Sequence, residues 1–160
     1  MRKHVNAFLF SKAGYTIADF KIEQESQEYL ACTFKVNNKT IMCRTAKITP
    51  KKTGQFVTFW KRNSEGVTIP YQHTDEFHFY LIHVKANGKS GLFLFPKTVL
   101  VKKGIITTHL KVGKRGFRVY PSGDAPTSKQ AFNTQKWQSL YFIENIVENS
   151  AMQLHNLLQA

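Results

Sequence analysis

The sequence predicts an α+β fold: a strongly twisted, mainly antiparallel sheet flanked by helices, in one domain over residues 1–160. Three observations carry that reading. Segments with the two-residue alternation of strands recur through the middle of the chain, separated by Asn, Gly and Pro turn signals. Near the C-terminus an apolar stripe at helical spacing follows Ser128, a residue type that caps helices. Hydrophobic residues make up 42% and aromatics 13% of the 160 residues, enough to bury a core.

Taken in order, residues 2–10 and 16–28 read as helical or mixed, the second stretch carrying Asp19, Glu23, Glu25 and Glu28. Residues 30–36 and 39–45 read as a hairpin around Asn37-Asn38, because Asn tolerates the positive φ of a two-residue turn. That register sets Cys32 opposite Cys43, on one apolar face with Leu30, Phe34, Val36 and Ile41. The two thiols read as reduced core residues, and they lack partners at the spacing a zinc site needs.

Residues 49–54 contain Pro50 and Gly54 and read as a loop. Residues 55–61 read as one strand, apolar on both faces and therefore central. A loop over 63–71 follows. Residues 77–85 and 91–95 form a second hairpin, turning at Asn87-Gly88-Lys89-Ser90. Pro96 is placed to open a short basic helix over 97–103, with Gly104 as its left-handed cap. Residues 116–121 make a last short strand, and 128–149 a C-terminal helix.

Charge is concentrated in the middle. Residues 29–122 hold seventeen Lys and Arg against Glu65, Asp75 and Glu76, whereas the flanking segments are close to neutral, within a net charge of +13. A cationic excess in one continuous stretch points to a polyanionic partner, most commonly nucleic acid. The contact candidates are Lys51, Lys52, Lys61, Arg62, Lys97, Lys102, Lys103, Lys114, Arg115 and Arg118. Such residues supply phosphate contacts, which give affinity without sequence information. Gly113-Lys114-Arg115-Gly116 is a glycine-flanked basic turn whose backbone N–H groups can face a phosphate, or an ordinary solvated turn. Trp60 and Tyr120 could stack on a base, with core packing as the alternative for Trp60. No apolar run approaches the ~20 residues of a membrane span, and no secretory leader is legible. The expected setting is the cytoplasm, without membrane insertion. Motifs for acyl transfer, phosphate-loop or dinucleotide chemistry do not occur.

Several segments together resemble the MepB family of small bacterial proteins. They are Glu28-Tyr29, Ala46-Lys47-Ile48-Thr49-Pro50, Gly54-Gln55-Phe56-Val57-Thr58 with Trp60-Lys61-Arg62, and Phe95-Pro96-Lys97 with Leu100. Further along come Gly104-Ile105, Gly116-Phe117-Arg118-Val119-Tyr120-Pro121, and Gln130-Ala131 with Thr134-Gln135-Lys136-Trp137-Gln138. The chain departs from the pattern at Gly123-Asp124, where the resemblance would put an aromatic before the Asp. The family is named for genes beside a multidrug efflux system, and no established enzymatic activity comes with it. The resemblance implies nucleic-acid binding on a restriction-endonuclease-like core.

A nuclease of that kind places an acid at the start of one strand and an acid-x-Lys at the end of the next, the acids holding Mg²⁺. Here Asp75 and Glu76 precede one strand and Lys97 follows its partner, but Phe95 stands where the second acid belongs. His83-Val84-Lys85 is another alignment, also short of an acid, with Glu25 or Glu28 of the N-terminal segment as the candidates to supply it. Three readings stay open for Asp75, Glu76 and Lys97: surface acids at a strand entry, a decayed nuclease site used for binding, or a working Mg²⁺-dependent endonuclease. The leading expectation is a nucleic-acid-binding protein, DNA before RNA, monomer or homodimer, without a cofactor unless Mg²⁺ serves the nuclease. A non-enzymatic interaction protein linked to drug efflux or its regulation is the remaining alternative.

Overall fold

Two tight turns organise the large sheet of the computed structural model, which describes residues 6–144 and 150–159. Asn37 and Asn38 take φ of 51° and 63°, and the hairpin of β2 (Cys32–Val36) and β3 (Lys39–Thr45) pairs Cys32 with Cys43 as expected. Asn87 and Gly88 likewise take φ of 53° and 76°, closing β8 (Phe79–Ala86) on β9 (Lys89–Pro96). Both turns use the positive-φ conformations that match the twist of flanking strands. The second hairpin is longer than the sequence indicated, because pairing continues to Ala86 and Lys89 beside the turn.

The hairpins join through a parallel pairing of β3 with β8. β1 (Ile17–Ile22) adds antiparallel to β2 at one edge, and β11 (Phe142–Glu144) to β9 at the other. The result is a six-stranded sheet ordered β1-β2-β3-β8-β9-β11, mainly antiparallel as predicted. Alternation along β8 sorts its two faces. Phe79 and Leu81 face α1 (Asn6–Lys12) and α4 (Ser150–Leu158), in a cluster with Phe10, Phe34, Ile41, Leu92 and Leu154. Tyr80, Ile82 and Val84 face the opposite layer with Phe93 and Phe95.

That layer holds a three-stranded sheet, in which β5 (Gln55–Thr58) lies between β4 (Lys47–Ile48) and β10 (Gly116–Val119). Val57 and Phe59 from the β5 segment, Phe117 and Val119 from β10, and Leu100 from α2 (Lys97–Lys102) complete its core. α3 (Lys129–Gln138) packs on β10.

Four expectations need correction. Residues 17–22 form β1 rather than helix, since they pair with the open edge of β2. Residues 55–61 are not one strand. β5 stops at Thr58, the Phe59 N–H donates to the Arg115 carbonyl, and the chain re-forms as β6 (Trp60–Arg62). β6 pairs with β7 (Thr68–Pro70), inside the segment expected to be loop. The helix expected over 128–149 ends at Gln138, followed by a 3-10 turn, Ser139–Tyr141, and β11. Leaving the helix lets Ile143 bury completely against β9, worth about 2 kcal/mol. Gly91 makes room for the new strand: a Cβ there would meet the Phe142 ring at 2.6 Å. Residues 2–5 and 145–149 of the two predicted helices lie outside the described residues.

Candidate nucleic-acid interface

A groove of about 750 Å³ opens between the β5–β10 face, the loop over 49–54 and one side of α3. Lys51, Lys52, Lys103, Lys114 and Arg118 line it, and no Asp or Glu does. Each of its walls has a local cause. Arg118, opposite Phe56 in the β5–β10 ladder, turns its guanidinium onto the 49–54 loop. It donates to the carbonyls of Lys52 (3.3 Å), Thr53 (3.1 Å) and Gly54 (3.2 Å) and to Thr49 Oγ1 (2.6 Å). Arg118 therefore shapes the loop that carries Lys51 and Lys52, whose own side chains stay exposed.

On the next wall Lys103 extends over the Trp137 ring, 5.2 Å from its centroid. Lys114 follows Gly113, where a Cβ would meet the Ile105 carbonyl oxygen at 2.3 Å, and its own N–H donates to that carbonyl at 2.9 Å. The basic turn is thus pinned to the segment after α2, and the Lys114 N–H is already used. α3 begins at Ser128, which accepts from the Ala131 N–H at 3.1 Å, as its cap position predicted. The helix is fixed to the strand layer by two glutamines. Gln138 pairs with the Arg118 carbonyl and the Tyr120 N–H, and Gln135 donates to the carbonyls of Pro121 and Asp124 at 2.9 Å.

Half of the expected contact residues lie in this groove. Lys61 and Arg62 leave it because the chain breaks at Phe59 and redirects β6. Lys61 pairs with Asp75 at 2.5 Å. Arg62 pairs with Glu25 at 2.7 Å and lies over Trp60, so that half-buried ring is covered by a cation of its own chain. Arg115 donates to the Thr68 carbonyl at 3.0 Å, toward β7. Lys102 is exposed on α2, outside the groove lining. Lys97 donates to the Asp75 carbonyl and lies 4.9 Å from the Phe77 ring centroid. Burial holds its ammonium below the usual lysine value, with Asp75 and Glu76 opposing that shift.

The hairpin does bring Asp75 and Lys97 together, since Phe79 pairs with Pro96. The contact is to the Asp75 backbone, however. Its carboxylate is used twice, by Lys61 at Oδ1 and by the Gln72 N–H at Oδ2 (2.7 Å). Glu76 is exposed. Phe95, in the slot of the second acid, is wholly buried, 5.4 Å from both the Phe93 and Trp137 rings. The alternative triplet is no closer: Lys85 pairs with Ser90, at the turn end of the hairpin, and His83 is buried. Glu25 is held by Arg62 and Glu28 by Lys47. These side chains do not fit a Mg²⁺ ion, and among the described residues no group of three His, Cys, Asp or Glu could hold a metal.

Sequence reasoning missed Gln135 and Gln138 as fixing residues. Their signal was present: Ala131, Gln135 and Gln138 share one face of α3, the face toward the sheet. It also missed Arg44, a buried arginine on β3 that donates to the Thr58 carbonyl at 2.7 Å and to its hydroxyl at 3.1 Å. Beside it, burial raises the Tyr80 and Tyr71 phenols above their ordinary values, and Tyr80 donates to the same Thr58 carbonyl at 2.7 Å.

A family model described as MepB-like matches residues 23–144, including the groove and both glutamines. The chain belongs to the MepB-like family. A crystal structure of MepB superposes with a TM-score of 0.81 and 37% identity, covering 92% of this chain and 98% of that one. A bacterial homing endonuclease, I-Ssp6803I, superposes with a TM-score of 0.51 at 13% identity, covering 86% of each chain. No curated protein matches. The second likeness bears on fold alone, and it gives this MepB-like chain the restriction-endonuclease-like core that the family resemblance implied. Gly123, where the sequence departs from the expected aromatic, is exposed, and a Cβ there meets open space. No helix among the described residues is long and apolar enough to cross a membrane.

Proposed function

We propose that this MepB-like protein binds nucleic acid, duplex DNA before RNA, mainly through phosphate contacts in the groove beside α3. The observation that carries the reading is the lining: four lysines and an arginine without a carboxylate, while Lys61, Arg62, Lys97 and Arg115 make contacts elsewhere. Lys51, Lys52, Lys103 and Lys114 supply the mobile charge. Arg118 fixes the loop beneath two of them. The N-terminus of α3 adds the positive end of a helix dipole at the same wall. Binding on this reading needs no metal, and the protein works as a binding module on a nuclease-like framework.

Fluorescence anisotropy with labelled duplex DNA tests it. Four engaged phosphates predict a fall in affinity of roughly a hundredfold between ~50 and ~200 mM salt. Lys51→Glu with Lys114→Glu should weaken all sequences alike. A flat salt response, or no binding at either salt, defeats the reading and favours an acidic protein partner, with a role near drug efflux as the surviving alternative. With Mg²⁺ present the DNA should stay intact, because the Asp75 carboxylate is engaged by Lys61 and the Gln72 N–H.

A further inference from the structure

We propose that α3 is a base-reading helix that enters the DNA major groove, with Gln130, Asn133 and Thr134 toward the base edges. The proposal rests on the reading of the groove as a DNA-binding surface and goes beyond it, from phosphate contact to sequence recognition.

The helix is a ridge between two clefts. The basic groove lies on one side, and a more open cleft of about 790 Å³ on the other. Gln130, Thr134 and Trp137, at i, i+4 and i+7, border both. Lys51, Lys52 and Lys114 belong to the first cleft, Lys129 and Lys136 to the second, and Lys103 to both. No acid lines either one. A ridge with cations on both flanks is complementary to a major groove with a phosphate strand on each side. The dimensions agree: an α-helix with side chains is about 10–12 Å across, and the B-DNA major groove is about 12 Å wide.

The composition of α3 points the same way. Gln135 and Gln138 are spent on the backbone around β10. Gln130, Asn133 and Thr134 make no side-chain hydrogen bond among the described residues, and Gln130 and Asn133 are exposed. Amide side chains pair bidentately with adenine N6 and N7, and threonine meets either base edges or the thymine methyl. The helix has no acid in its first turn and carries Lys129 there, at the end where a cation is disfavoured by the dipole. A bound polyanion reverses that local cost.

Selection from a random duplex library, followed by anisotropy on enriched and scrambled duplexes, tests the proposal. The expected result is an enriched motif containing adenine, preferred over the scramble by roughly tenfold or more for each base read. Gln130→Ala with Asn133→Ala should abolish that preference. Lys51→Glu should lower affinity for both duplexes and keep their ratio. Salt-sensitive binding without an enriched motif, or a preference that survives the double variant, overturns the base-reading role and leaves the phosphate-binding reading standing. Preference for single strands or RNA over every duplex also overturns it. Absence of binding to all of them defeats both.

Discussion

Gln138 completes the edge of the small sheet at Tyr120: its Oε1 accepts the Tyr120 N–H at 2.8 Å while its Nε2 donates to the Arg118 carbonyl at 3.0 Å. The amide is wholly buried and acts as one further residue of strand opposite β10. It joins helix to sheet where the two walls of the basic groove meet. Gln138→Leu keeps the volume but leaves a donor and an acceptor unpaired, at a cost of about 1–3 kcal/mol for each buried group. The expected outcome is a lower midpoint in urea denaturation, together with weaker DNA binding as the α3 wall shifts. Unchanged stability would mean that Gln138 does not hold the helix.

Arg118 illustrates a basic residue whose work is to place others. Its fork meets three carbonyls and a hydroxyl of the 49–54 loop, a pattern that a lysine ammonium on a flexible stem cannot reproduce. Arg118→Lys should free the loop and speed trypsin cleavage at Lys51 and Lys52, while the formal charge stays the same. DNA affinity should fall with it. Protection equal to the parent chain, with affinity lost, would instead make Arg118 a direct phosphate ligand.

Asp75 is the residue on which a nuclease reading turns. The structure uses its carboxylate as a local bolt between Lys61 and the Gln72 N–H. Asp75→Asn should therefore cost about 1–2 kcal/mol, a charge-assisted hydrogen bond discounted for the partial exposure of both partners. Incubation of the parent chain with duplex DNA and Mg²⁺ should leave the DNA intact on a gel. Metal-dependent cutting that disappears in Asp75→Ala would restore the catalytic assignment.

What the sequence made legible was local. Asn37-Asn38 and Asn87-Gly88 disclosed both hairpins, including the pairing of Cys32 with Cys43, because a two-residue turn sets the register of everything beside it. Ser128 disclosed the start of α3 for the same kind of reason. Competition between distant segments was not legible. Ile17 and Ile143 sit in stretches compatible with helix, and they are strands because β2 and β9 offered open edges. The site divided similarly. Charge put Lys51, Lys52, Lys103 and Lys114 among ten candidates without separating them from the rest, because the redirection at Phe59 that takes Lys61 and Arg62 out of the groove depends on a hydrogen bond to Arg115, far along the chain.

His83 gives the fold a pH dependence with a definite sign. Its side chain is 4% exposed on the α1–α4 face of β8, and its Nε2 has no hydrogen-bond partner among the described residues. Burial first, and the charge of Lys85 second, lower its pKa from 6.5 to about 4. The unfolded chain therefore takes up a proton near pH 6.5 that the folded chain refuses until about pH 4. Across that window the unfolded state binds more protons, so stability falls as pH falls. For this one group the loss between pH 7 and pH 5 is about 2 kcal/mol. Urea denaturation at those two pH values measures it, and comparison with His83→Leu isolates the histidine from the other titrating groups. The variant should lose less stability than the parent chain by about that amount. An equal loss in both would show that the His83 ring reaches a proton acceptor in the folded protein.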